Sequence, residues 1–230
     1  MKPSCVVVIG TGRSGTHWMG NTLGTHPQVY LTSEKQPQFD LVCQMAFNES
    51  QRTVLMPELI AAYHQEIATA NGRIFVDKSH PALWIANKIA LSVPNTKFIV
   101  TMRSAYGTIA SMLNHSGVQQ WFNRWDGQPN QFLGVTPELV DVYDSLPIVA
   151  KCALRWKSHN DATIALLERD DVLPISYENF ILDPGTCLQA IEQFLELETA
   201  LDVPPVKTDS LDKWKNQLTD DQLGVIDSII

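Results

Sequence analysis

An apolar, β-branched run, Cys5-Val6-Val7-Val8-Ile9, ends in Gly10-Thr11-Gly12-Arg13-Ser14-Gly15-Thr16-His17 and passes into Trp18-Met19-Gly20-Asn21-Thr22-Leu23. No other stretch narrows the fold as much. It reads as a buried strand, a glycine-rich turn and a helix start. Such a turn aims several backbone N–H groups, and the positive end of a helix dipole, at one point where an oxyanion can sit. Arg13 and the hydroxyls of Ser14 and Thr16 add donors. Gly10 and Gly15 keep the glycine spacing of the nucleoside-triphosphatase loop, G-x-x-x-x-G-K-[ST]. Thr16 and His17 stand where that loop has its lysine and its magnesium-binding hydroxyl. The cradle suits a phosphate-like group without being built for Mg-nucleotide hydrolysis.

Strands are expected at Cys5–Ile9, Val29–Thr32, Arg73–Asp77, Lys97–Met102 and Val172–Ser176. Helices are expected at Thr16–Thr25, Pro57–Ala70, Pro81–Ser92, Ala105–Asn114, Pro147–Glu168, Pro184–Leu195 and Asp220–Ile229, four of them opening on a proline that fits a first turn. Short apolar strands alternating with helices imply an α/β fold, three layers with a central, mostly parallel sheet flanked by helices. In such sheets the ligand lies beyond the carboxyl ends of the strands. Arg13, Glu34, Lys78, Arg103 and Tyr177 follow the five strands in turn. The segment Ser116–Thr136 carries Trp121, Phe122, Trp125 and Phe132 among Gly, Gln, Asn and Pro. It reads either as a substrate lid or as a surface excursion whose aromatics tuck into the core.

With 230 residues, 44% of them hydrophobic, the chain is expected to form one domain over 1–230. The start, Met1-Lys2-Pro3-Ser4, leaves no room for a signal peptide, and no apolar run suits a membrane span. Cys5, Cys43, Cys152 and Cys187 lie far apart and form no C-x-x-C pair, which fits buried thiols in a reducing, cytoplasmic setting. The net charge of −8, with scattered lysines and arginines, argues against nucleic acid and highly sulfated polysaccharides as partners. Nothing in the sequence fixes an oligomeric state.

The motifs resemble those of sulfotransferases that use 3′-phosphoadenosine 5′-phosphosulfate (PAPS) as donor. Arg13-Ser14-Gly15-Thr16 after a strand is similar to their 5′-phosphosulfate loop. Phe98–Arg103 with Ser111 eight residues on is similar to their 3′-phosphate motif. Leu173–Phe180, then Asp183-Pro184 and Ile191–Leu195, is similar to the family's YE…DP…I-FL stretch. Phe75–Ser79 resembles the E-K-[ST]-P segment of the Golgi-type branch. His26-Pro27-Gln28-Val29 leading to Glu34 resembles a passage of the tyrosylprotein and heparan enzymes. The matches run in order from residue 5 to about residue 197.

The resemblance implies a P-loop NTPase-like sulfotransferase fold, no metal, and adenosine 3′,5′-bisphosphate (PAP) as product. It implies that Gly12, Arg13, Ser14, Gly15, Thr16 and His17 hold the 5′-phosphosulfate, that Lys78 reaches the bridging or sulfonyl oxygens, and that Arg103 and Ser111 bind the 3′-phosphate. Tyr177 then lies near the adenine, Lys213 is one of three C-terminal lysines able to complete the 3′-phosphate site, and Glu34 is the general base. His17 departs from the more usual threonine. His80 and His115 are alternative bases. The acceptor is a small molecule, sugar or peptide side chain with a hydroxyl or amine. A P-loop kinase or nucleotide hydrolase, and a non-catalytic nucleotide-binding domain, are the competing readings.

Overall fold

A computed structural model describes residues 2–230 and places five strands in one parallel sheet, β1 (Cys5–Gly10), β2 (Val29–Ser33), β3 (Ile74–Lys78), β4 (Thr96–Met102) and β5 (Val172–Ser176). Their order is β2-β3-β1-β4-β5. Every residue of β1 is buried, as a strand with parallel neighbours on both sides requires. Val7 pairs with Asp77 on one side and Phe98 on the other. Alternate β1 side chains feed two cores. Cys5, Val7 and Ile9 pack against α2 (Gln38–Phe47), α3 (Gln51–Ala70) and α4 (Ala86–Ser92). Val6 and Val8 pack against α1 (Thr16–Gly24), α8 (Tyr177–Leu182) and α9 (Pro184–Leu195). The result is the three-layer α/β architecture. A third core joins α5 (Ala105–Leu113), α6 (Ser116–Phe122), α7 (Ile148–Ile164) and α10 (Asp220–Asp227).

The chain leaves β1 toward β2 on one side and reaches β4 on the other. The carboxyl ends of β1 and β4 therefore flank the point where the winding reverses, the usual place for a ligand in such sheets.

Several local expectations are corrected. The helix expected from Pro57 starts six residues earlier, and Pro57 lies inside it. Thr53, whose carbonyl loses its helical partner, is exposed, so water can take the lone pair. The stretch 81–92 divides into a 3₁₀ turn over His80–Ile85 and then α4. In the aromatic segment, Ser116–Phe122 is helical, and Phe122 and Phe132 are buried with Trp121 and Trp125 packed on the same core. Its aromatics therefore stabilise the fold instead of forming a free lid.

Candidate active site

The turn after β1 is held open by its own hydrogen bonds. Gly10 has φ +146°, and a Cβ there would lie 2.5 Å from the Thr101 carbonyl oxygen of β4. Ser14 donates from its amide (3.1 Å) and its hydroxyl (2.6 Å) to the Thr11 carbonyl, and its Oγ stands 2.8 Å from Thr101 Oγ1. The Ser14 hydroxyl is thus used to brace the loop. Gly15, at φ +97°, begins α1 without a side-chain cap. The first amide bonded back into the helix is Met19, to the Gly15 carbonyl at 3.0 Å. The N–H groups of Thr16, His17 and Trp18 are left for an outside acceptor. Arg13 adopts φ 79°, a left-handed conformation that costs a non-glycine residue about 1–3 kcal/mol.

Beside this loop the ends of β2 and β3 join. The Glu34 amide donates to the Lys78 carbonyl (3.1 Å), which continues the ladder past β2 and holds Glu34 at φ 50°. Lys78 is 0% exposed, and its Nζ donates to Glu34 Oε1 at 2.5 Å and lies 2.7 Å from His17 Nε2. His17 Nε2 and His80 Nδ1 stand 3.3 and 3.5 Å from the same Glu34 oxygen. Burial opposes charge on Glu34, but His17, His80 and Lys78 overcome it and hold the carboxyl well below the usual carboxylate range. Burial lowers the Lys78 ammonium, with Glu34 acting against it. Burial also pushes His80 down to about 4, so its ring is neutral at pH 7.

A second cluster gathers at the ends of β4 and β5. Arg13 Nε donates to Ser111 Oγ of α5 at 3.1 Å. Arg103 Nη1 donates to the Arg13 carbonyl at 3.2 Å, and Nη2 to the Ser210 carbonyl at 3.3 Å. The Arg103 guanidinium lies 4.4 Å from the Tyr177 ring centroid. The loop also packs on that ring, for a Cβ on Gly15 would sit 2.7 Å from Tyr177 Cδ2. Tyr177 donates its hydroxyl to Ser210 Oγ (3.0 Å), which ties the 3₁₀ turn Thr208–Leu211 over the site. Among the described residues, no carboxylate pairs with Arg13 or Arg103 within 4.0 Å. Two unpaired guanidinium groups beside an uncapped helix start are a demand for an anion.

The structure thus gathers Gly12 to His17, Glu34, Lys78, Arg103, Ser111 and Tyr177 at one edge of the sheet. Lys213 stands apart, with Nζ 3.0 Å from Asp209 and half of its side chain exposed. His115, at the start of α6, is near enough to Arg13, Glu34 and His17 for their charges to act on it. Two further residues reach the site without a sequence motif to announce them. Ser210 closes over Arg103 and Tyr177. Arg155, from the buried face of α7, extends to Gly12; a polar residue in register with Cys152, His159 and Thr163 on the core face of a helix was its only signal. No group of three or more His, Cys, Asp or Glu suited to a metal ion occurs among the described residues. No described helix is long and apolar enough to cross a membrane.

Fold and cradle together define an α/β protein that presents cationic groups and free amides to an oxyanion at the carboxyl edge of a parallel sheet. The profile of the Sulfotransferase family matches residues 3–201, and the chain belongs to that family. Sulfotransfer in general is the family's chemistry. The fold is similar to the sulfotransferase domain of the Synechococcus PCC 7002 olefin synthase, at TM-score 0.61 and 16% identity over 99% of this chain and 94% of that one. A sulfotransferase domain from the curacin biosynthetic pathway matches at TM-score 0.64 and 13% identity, over 99% and 97%. A sulfotransferase from Alicyclobacillus acidocaldarius matches at TM-score 0.58 and 14% identity, over 100% and 96%. The comparison with curated proteins finds no match.

Proposed function

We propose that this sulfotransferase takes its sulfuryl group from PAPS and passes it to a hydroxyl or amine of a small-molecule, sugar or peptide acceptor. The observation that carries the reading is the convergence of Arg13, Ser111 and Arg103 beside the uncapped start of α1. These groups fit a ligand with two separate phosphate ends. The amides of residues 16–18 and Arg13 suit the 5′-phosphosulfate. Arg103 and Ser111 suit the 3′-phosphate that separates PAPS from ATP. Tyr177 and the turn carrying Ser210 adjoin Arg103, and Lys213, held by Asp209 of that turn, is the remaining candidate charge. When bound, the donor supplies sulfur for attack by the acceptor oxygen, and the electron pair of the broken S–O bond stays on the 5′-phosphate.

The chain's own residues then have separate tasks. Arg13 and Lys78 hold negative charge where it grows on the leaving and nonbridging oxygens. Glu34, kept ionised, accepts the acceptor's proton. A specific observation favours a second reading of the base. Glu34 is so firmly paired that it is a weak proton acceptor, whereas His80 is neutral, has Nδ1 3.5 Å from the carboxylate, and has Nε2 beside Gly12. In that reading Glu34 orients the imidazole and His80 takes the proton.

Thermal shift tests the donor. PAP without metal is expected to stabilise the protein strongly and ADP-Mg little. The reverse ranking supports a kinase or hydrolase instead. Label transfer from PAPS across an acceptor panel, read by mass spectrometry, tests the reaction itself.

A further inference from the structure

Arg155 is 1% exposed, yet its Nε and Nη1 have no hydrogen-bond partner. No carboxylate pairs with it within 4.0 Å among the described residues. Its guanidinium lies 4.5 Å from the Phe132 ring centroid and 6.0 Å from that of Trp121, and a π-face compensates a buried cation only in part. The groups around it that carry protons, Cys152, Tyr143 and Cys43, are neutral at pH 7. A buried cation without a counter-ion is among the most costly arrangements a fold can hold. Folds keep such groups where a ligand completes them.

The direction of the side chain says which ligand. A Cβ built on Gly12 would meet His80 Nε2 at 3.1 Å and Arg155 Nη2 at 3.8 Å. His80 Nδ1 in turn stands 3.5 Å from Glu34, which bonds Lys78. Arg155 Nη2 and His80 Nε2 thus both approach the loop at Gly12, and His80 links that point to Glu34 and Lys78. A Cβ at position 12 would crowd His80 Nε2, so glycine there lets the loop lie close against His80 and Arg155.

We propose that Arg155 binds the nonbridging oxygens of the sulfuryl group in transit, where the loop passes at Gly12. This rests on the PAPS reading and deepens it. The anion cradle is then built from three guanidinium groups, two on loops at the sheet edge and one delivered sideways by a helix. The planar fork of arginine spans two oxygens of a trigonal SO₃ group, which a lysine ammonium does as a point charge only.

Thermal denaturation of wild type, Arg155→Met and Arg155→Lys tests this, with sodium sulfate against sodium chloride at equal ionic strength, each with and without saturating PAP. Sulfate stabilises proteins in general, so the readout is the difference between wild type and variant. Wild type is expected to gain several degrees from sulfate over chloride, and most on top of PAP. Arg155→Met should lose that gain, and Arg155→Lys should keep part of it. Unliganded Arg155→Met should melt no lower than wild type, because an unpaired buried charge has been removed. Its turnover with PAPS should fall at least tenfold, with the PAP-induced shift retained. An equal sulfate gain in wild type and Arg155→Met, with and without PAP, overturns the proposal. So does a large loss of unliganded stability in both variants, since the guanidinium would then be a structural strut. Failure of PAP to stabilise wild type strikes the donor reading separately, and an Arg155-dependent sulfate gain without PAP still supports the oxyanion site.

Discussion

Arg103 donates from Nη1 to the carbonyl oxygen of Arg13 at 3.2 Å, although 90 residues separate them in sequence. The bond brings the Arg103 guanidinium against the backbone of the loop that carries Arg13. Arg13 turns its Nε to Ser111, and Arg103 turns its face to Tyr177. One anionic ligand can therefore engage both.

Arg103→Ala should weaken PAP binding by about 10- to 100-fold, the value of one or two hydrogen bonds to a charged group, about 1.5–3 kcal/mol. KM for PAPS should rise in step while kcat changes less. Calorimetric titration with PAP, paired with initial rates, checks it. An unchanged KM would remove Arg103 from the donor site.

Gly15→Ala should be damaging out of proportion to its size. The new Cβ would sit 2.7 Å from the Tyr177 ring, and alanine at φ +97° adds a conformational penalty of about 1–3 kcal/mol. Each kcal/mol lost lowers Tm by about 2–4 °C in a chain of this size. A drop of at least 3 °C together with a lost PAP shift is the expected pair of results.

Glu34→Gln should cost about 3 kcal/mol at pH 7, because it strands the buried Lys78 ammonium. Glu34 has a folded pKa below its unfolded value of about 4.5. Its stabilisation is thus complete above that pH and drains as pH falls beneath it. The Tm gap between wild type and variant should therefore be constant from pH 7 to 5 and narrow below about pH 4.5. A gap that narrows between pH 7 and 6 would contradict the assignment. Turnover should fall as well, whether Glu34 takes the proton or orients His80.

His80 carries the opposite charge logic. Its folded value of about 4 lies below its ordinary 6.5, so protons bind the unfolded chain first. Stability is lost as pH falls from 6.5 toward 4, and His80→Asn should flatten that part of the wild-type curve. As the base, neutral His80 predicts a flat kcat from pH 8 to 6, with no inflection at 6.5, and a hundredfold or greater loss in His80→Asn. Near-normal turnover of His80→Asn, beside a crippled Glu34→Gln, would return the role to Glu34.

The sheet was legible because its strands carry an unbroken apolar signal. The five expected strands differ from the observed ones by one residue at an end at most. Helices were less legible. The mixed pattern of Gln38–Phe47 hid α2, and Pro57 masked the first turns of α3 because a proline can sit inside a helix where water replaces the missing bond. Site residues at strand ends could be named because a parallel sheet delivers all its carboxyl ends to one edge. Arg155 could not, since an arginine in a helix carries no mark of what the opposite face of that helix touches.

The sequence alone determined the parallel sheet, the glycine-rich loop after β1 and the placing of Arg13, Glu34, Lys78 and Arg103 at its carboxyl edge, because these follow from local periodicity and turn chemistry. Tertiary structure alone decided which of them share a proton or a charge. Lys78 is bonded to Glu34 instead of standing free, the Ser14 hydroxyl is spent on Thr11, Lys213 is held by Asp209, and Arg155 arrives unpaired beside Gly12. Burial and distance set those relationships, and both depend on residues brought together by packing across the chain.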